Sequence, residues 1–374
     1  MSGASASAAP PKPGGPVRAA PPSEKWRRLR LIPLAAGAGS LLAGLWVGLA
    51  RLGLTLPGGE LALAEFHGAL MISGFLGTVI SLERAVAIGR WWAYTAPALS
   101  AIGAVALIVG APVFAGGAFL LAGLALTVNS STVVVRQPAL FTVVLTVAAA
   151  CWVGGTLVWI KGAPAADIAG WWLAFLVLTI AAERLELSRL LSPPRSSQLT
   201  FILAAALIII GVVRGELAGE TAPFSGIGLL AVTVWLVRHD IALRTIRFAG
   251  QARFSAACLL AGYFWLGLAG LVLLVAQPGA TAFSYDAAVH AIAIGFVLSM
   301  IFGHAPIILP AVIGLRIRYS ATVYGPLVLL HLSVLLRIAG GLFEHIEMRA
   351  ISGPLTIVAF AGYAVALVVA SRKK

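Results

Sequence analysis

The chain has few cysteines and few charged residues. Cys151 and Cys258 are the only cysteines among 374 residues, and each lies inside an apolar segment. They form no CxxC pair, no CxxCH motif and no disulfide framework, so we expect small core residues at both positions. Charged residues make up 10% of the chain and hydrophobic residues 60%, with a mean hydropathy of +1.00. This balance excludes a soluble globular protein and predicts an all-α membrane protein.

Acidic residues are scarcer than basic ones, 13 against 26, which gives a net charge of +13. In a soluble protein this excess would suggest a nucleic-acid partner. In a membrane protein the enrichment of Lys and Arg in cytoplasmic loops explains it better. We therefore expect the lipid bilayer, and no nucleic acid, as a partner.

Apolar windows of roughly twenty residues predict twelve transmembrane helices. The windows are 31–50, 66–88, 95–115, 116–135, 139–160, 170–191, 199–213, 224–243, 254–276, 287–313, 321–341 and 351–370. They predict a single membrane domain over 26–374. The Pro-rich, basic segment 1–25 has no apolar core of its own, and we expect it to be a disordered cytoplasmic tail.

The distribution of basic residues predicts the orientation. With the N-terminus inside, twenty-one of the 26 Lys and Arg residues fall on the inner side. The five on the outer side are Arg51, Lys161, Arg214, Arg337 and Arg349. This bias predicts a bacterial inner-membrane protein with both termini in the cytoplasm.

A short repeat links three of the predicted spans. Span 2 ends in Leu82-Glu83-Arg84-Ala85 and span 6 in Ala182-Glu183-Arg184-Leu185, while span 10 has His304 at a similar depth. Because these spans are four helices apart, the repeat suggests three related four-helix units.

Two histidines open separate spans on the predicted outer side. His67 opens span 2, followed by Gly68, which would let a planar group approach the backbone, and His290 opens span 10. Intramembrane histidines are expensive and usually have a partner or ligand. A neutral pair at equal depth suits the iron of a haem, with one imidazole on each face. The alternative is that each histidine only bonds a neighbouring carbonyl.

A second group lies towards the predicted inner side. His304 is fourteen residues from His290, so an ideal helix places both on one face, whereas Glu83 lies about 160° around the helix from His67. An inner cluster of Glu83, Glu183, His304 and His331 would bind copper or another metal, or relay protons. The alternative is a rim of ion pairs formed by Glu83, Arg84, Glu183 and Arg184, with the arginines reaching lipid phosphates.

The layout resembles subunit I of the haem-copper oxidases. The shared features are twelve spans, a His-Gly opening span 2 and a histidine opening span 10. The resemblance implies a b-type haem held by His67 and His290, with Arg337 and Arg349 near its propionates. An equal alternative is that these two arginines reach towards lipid at the outer rim of the membrane.

The chain departs from that family at the oxygen-reducing centre. Spans 6 and 7 contain no histidine, and span 10 has no second ligand two residues from His290. As a twelve-span protein without this centre, the chain resembles the NnrS family of haem-binding proteins linked to nitric oxide stress. The segments that carry the likeness begin at His67 and His290.

Three functions therefore follow as hypotheses. The first is a haem b protein of nitric oxide response or detoxification, or of respiratory electron transfer with a quinone or another redox partner. The second is a twelve-helix secondary transporter that uses Glu83, Glu183, His304 and His331. The third is a scaffold without a cofactor, in which the histidines only bond between helices.

Overall fold

The computed structural model describes residues 24–57, 61–191, 194–279, 281 and 283–372, and all regular structure in these ranges is helical. Twelve long helices follow one another along the chain. They are α1 Glu24–Arg51, α2 Ala69–Ile88, α3 Trp91–Ile108, α4 Pro112–Arg136, α5 Leu140–Ile160, α6 Ala165–Ser188, α7 Arg195–Val213, α8 Pro223–His239, α9 Gly250–Val275, α10 Ser284–Ile313, α11 Ala321–Leu342 and α12 Ile346–Arg372. The predicted tail falls almost entirely in 1–23, outside the described residues.

Within these ranges, eleven helices are long and apolar enough to cross a membrane. The twelfth, α8, is apolar but has only 17 residues, near the lower limit for a spanning helix. Each of the twelve predicted windows coincides with one helix. The chain is thus an all-α, multi-pass membrane protein.

Two predicted spans run four or more residues past the observed end of the helix, for local reasons. The break between spans 3 and 4 comes at Ile108, earlier than the predicted 115, because Gly110 adopts φ +84° and Pro112 starts the next helix. Span 8 ends at His239 and not at 243. There the Asp240 carboxylate accepts a hydrogen bond from the Ala242 backbone N–H and turns the chain.

Consecutive helices pack as antiparallel neighbours, and α10 packs against helices that are distant in sequence. Its partners distant in sequence include α2 and α6, and α1 contacts both α10 and α12. Helix α6 has the largest buried share of any span. The interior of the bundle is therefore formed around α2, α6 and α10.

Helices α2 and α10 share an unusual backbone. Residues Ala69–Gly77 and Ala291–Leu298 form π-helices, in which each N–H bonds to the carbonyl five residues earlier. Such helices are rare and occur frequently at functional sites. Each begins within two residues of a histidine, His67 or His290. The angles expected from an ideal α-helix therefore do not apply beyond either histidine.

Candidate functional site: a histidine pair in a membrane cavity

His67 and His290 lie together at one end of the bundle, called here the histidine end. Their ring centroids are 6.3 Å apart and their planes differ by 23°. His67 precedes α2 by two residues, and His290 lies at the junction between the α-helical and π-helical parts of α10. The structure thus brings together the two side chains that the sequence pairs.

Backbone carbonyls fix the tautomer of both rings. The Nδ1 atom of His67 lies 2.8 Å from the Gly44 carbonyl oxygen, and that of His290 lies 2.9 Å from the Asp286 carbonyl oxygen. Since a carbonyl oxygen only accepts, Nδ1 carries the proton and donates in both cases. Among the described residues, neither Nε2 atom has a hydrogen-bond partner. Each ring therefore offers an Nε2 lone pair to a ligand.

The approach of α1 to His67 depends on two glycines four residues apart. Gly44 supplies the carbonyl, and a Cβ at Gly48 would lie 2.9 Å from Cε1 of His67. Spacing of this kind is typical of close helix contacts in membranes. A Cβ at Gly68 would meet Trp172 at an ordinary 3.7 Å, and the approach of a planar group to the backbone there stays a prediction. The sequence pattern Gly44-xxx-Gly48 could have identified this contact.

Both histidines line a cavity of about 190 Å³, counted as room for the centres of water molecules. Its walls are mostly apolar, with residues from α1, α2, α6, α10 and α12 among them. Three of its lining residues, Arg51, Glu65 and Ala165, are exposed, which places the cavity mouth beside them. A cavity with mostly apolar walls and charged residues at its mouth would suit a flat apolar ring with charged substituents.

Arg337 and Arg349 reach the histidine end but are held by a carboxylate. Arg337 donates to both oxygens of Asp286, at 2.7 and 3.0 Å, and Arg349 Nη2 lies 3.3 Å from Asp286 Oδ2. Arg337 also lines the cavity, whereas Arg51 lines it without a carboxylate partner among the described residues. Sequence reasoning missed both Asp286 and Arg51. The four-residue spacing from Asp286 to His290 was the available clue.

The carboxylate end of the bundle, defined by Glu83 and Glu183, holds a separate group. Electrostatic interactions connect these two carboxylates with each other and with Arg84 and Arg184. Neither Glu83 nor Glu183 lies within 4 Å of a cation in the described part of the chain. The close ion pairs expected at this rim are therefore not seen there, and the proton-relay role stays a prediction.

His304 belongs to this group, and both of its nitrogens are engaged. Its Nδ1 lies 2.7 Å from the Met300 carbonyl oxygen and donates to it, and Nε2 accepts a hydrogen bond from Arg184 Nη2 at 2.9 Å. A metal at His304 would have to displace a buried arginine. Because a π-helix lies between His290 and His304, the angle of an ideal α-helix does not apply to them, and their sharing of a face stays a prediction.

His331 has partners of its own. Its Nδ1 accepts a hydrogen bond from the Trp265 indole N–H at 2.8 Å, and Nε2 lies 3.5 Å from the Ser299 hydroxyl. Over the described ranges, no group of three or more His, Cys, Asp or Glu side chains could hold a metal ion. Copper or another metal on His304 or His331 stays a prediction, as does transport through this region.

A family model described as Domain of unknown function (DUF8744) matches residues 30–372. The chain belongs to this family. No curated protein and no solved structure matches the chain. The DUF8744 match runs from within α1 to the end of α12, so both histidines lie inside the DUF8744 region. Because the description assigns no activity, the function has to be argued from the site.

Proposed function

We propose that this DUF8744 protein is an integral membrane protein that binds one b-type haem between His67 and His290. Its role would be in nitric oxide response or detoxification, or in respiratory electron transfer with a quinone or another redox partner. The proposal includes the bacterial inner membrane, cytoplasmic termini, and a twelve-helix arrangement like that of haem-copper oxidase subunit I with three related four-helix units.

The separation of the two rings is the observation that carries the proposal. Two metal–nitrogen bonds of about 2.0 Å, with about 1.2 Å from each nitrogen to its ring centre, add to about 6.4 Å. The observed distance between ring centroids is 6.3 Å. A direct stacking contact would bring the rings much closer. One metal ion between the imidazoles accounts for a gap of this size.

The chemistry of the donors supports the same ligand. Neutral imidazoles that donate through Nδ1 to a carbonyl and keep Nε2 free are typical of metal-binding histidines. His67 and His290 both have this arrangement. His304 and His331, whose acceptor nitrogens already bond to Arg184 and Trp265, do not.

The charges at the cavity support a cofactor with acidic groups. Arg51 and Arg337 line the cavity, and Asp286 and Glu65 are its acidic lining residues. Arg349 adds a further cation through Asp286, so this region carries a net positive charge. Guanidinium groups bind carboxylates strongly, and Arg51 at the mouth is better placed than the Asp286-bound Arg337 to meet a haem propionate.

The histidine pair also favours one kind of chemistry. A bound haem would supply a one-electron redox centre. If His67 and His290 both hold the haem, electron transfer would be easier than gas binding, because a gas would have to displace one of these imidazoles. The mostly apolar walls of the cavity limit the entry of bulk water. We therefore favour electron transfer over nitric oxide binding as the role of this site.

The visible spectrum of the purified protein, with metal analysis, tests the proposal. We expect a Soret band and one iron per chain in the wild type, and loss of most bound haem in His67→Ala and in His290→Ala. His304→Ala and His331→Ala are matched controls that should keep the spectrum. A wild type without a Soret band, or equal spectra in all four variants, would refute haem binding at this pair.

A further inference from the structure

Asp286 connects one histidine of the pair to two arginines. Its Oδ1 atom lies 3.3 Å from His290 Nδ1 and 2.7 Å from Arg337 Nη2. Its Oδ2 atom accepts from Arg337 Nε at 3.0 Å and lies 3.3 Å from Arg349 Nη2. The carboxylate is therefore fixed on three sides, with the imidazole on one of them.

These groups are largely removed from solvent, so their interactions are only weakly screened. The side-chain exposures are 20% for Asp286, 11% for Arg337, 13% for Arg349 and 14% for His290. Two guanidinium groups beside one carboxylate keep it ionised. They also hold its position, since Arg337 binds both oxygens at once.

The environment of His67 is different. Its Nδ1 donates to the neutral Gly44 carbonyl, and no acidic side chain contacts the ring among the described residues. His290 Nδ1 donates to the Asp286 backbone carbonyl oxygen and has the Asp286 carboxylate beside it, with Oδ1 at 3.3 Å. The two faces of the cavity therefore present imidazoles of unequal electron-donating strength.

We propose that Asp286 is a positioning residue that, through His290, lowers the reduction potential of the iron held at this site. This inference rests on the proposed haem function. A carboxylate beside the protonated, non-ligating nitrogen stabilises positive charge on the imidazole and so makes it a stronger donor, while the hydrogen bond from Nδ1 to the Asp286 carbonyl oxygen fixes its orientation. Stronger donation stabilises the ferric state, which has one more positive charge than the ferrous state. Second-sphere hydrogen bonding is one of the means by which proteins set such potentials.

Redox titration of the haem absorption bands in the purified protein tests this role. In Asp286→Asn we expect the equilibrium constant for reduction to rise about tenfold, or about 59 mV for one electron. Asp286→Glu keeps the charge and should restore most of the wild-type potential. Glu65→Gln, which removes one negative charge at the cavity mouth without touching either imidazole, should give less than a third of the shift in millivolts.

A spectroscopic readout separates this role from a structural one. The low-spin ferric EPR signal should change in Asp286→Asn and stay the same in Glu65→Gln, because only Asp286 contacts a ligand imidazole. Equal shifts in potential for the two variants would overturn the inference, since they would show a general charge effect. Reduced haem content with an unchanged potential would also overturn it.

Arg349→Gln provides the test if Asp286→Asn does not hold haem. Without Arg349, Asp286 shares more of its charge with His290, and the potential should fall by a few tens of millivolts, a severalfold change in the equilibrium constant. An unchanged potential would overturn the inference. A wild type that binds no haem overturns the proposed function itself, whereas bound haem with these variants unshifted overturns the Asp286 role alone.

Discussion

Replacement of Gly48 by valine is expected to reduce the haem bound per chain by about tenfold or more, because a metal site tolerates little displacement of its ligands. A Cβ at this position would lie 2.9 Å from Cε1 and 3.1 Å from Nδ1 of His67. Contacts this short force the ring to move. The movement also breaks the hydrogen bond from Nδ1 to the Gly44 carbonyl oxygen.

The same helix offers a matched control. Gly39 also lies on α1, and a Cβ there has no atom within 4 Å. Gly39→Val should therefore bind haem like the wild type. The measurement is the ratio of Soret absorbance to protein in equal amounts of purified, monodisperse protein. Full haem content in Gly48→Val would show that α1 does not set the position of His67.

Replacement of Arg337 by methionine should destabilise the fold by about 3 kcal/mol, at the low end for breaking a buried ion pair because Arg349 still neutralises part of the charge. The bidentate contact to Asp286 is lost, and the mostly buried carboxylate keeps only the 3.3 Å contact with Arg349 among its guanidinium partners. Methionine fills similar space and leaves the apolar contacts of the side-chain stem in place.

A double variant tests the cause. With Asp286→Asn in the same chain, the mostly buried carboxylate is gone and only Arg349 is left without its ion-pair partner, so part of the lost stability should return. Thermal unfolding in detergent, followed by the loss of helical circular dichroism, measures both effects. Additive losses in the double variant would show that Arg337 acts through packing and not through its bond to Asp286, since interacting residues give non-additive changes.

The sequence predicts the helices well because length and hydropathy are sufficient for a spanning segment. The prediction fails at the ends of two helices, where single residues determine the position at which the helix stops. Gly110 with its positive φ and Pro112 break an apolar run that has no polar gap, and the Asp240 cap ends α8 early. These effects depend on backbone conformation, which hydropathy does not report.

The candidate site is predictable in part for a similar reason. His67 and His290 stand out because imidazoles are costly inside apolar segments, and their meeting follows from equal depth. The π-helices after both residues were not predicted from the sequence, so angles to Glu83 and His304 worked out for an ideal α-helix do not apply. The sequence alone suggests a haem propionate as the partner of Arg337, because the bond from Arg337 to Asp286 can be recognised only in the folded structure.

The composition of the cavity wall has a consequence for biogenesis. Leu45 and Gly48 come from the first helix, and Gly353 and Thr356 come from the last. Nearly the whole chain therefore has to be synthesised before the cavity is complete. Chains that end before residue 346 lack the wall formed by α12. Binding of the proposed haem would therefore have to follow translation and membrane insertion. An assembly intermediate that ends after α11 would expose the apolar residues of the cavity wall, which favours aggregation or proteolysis.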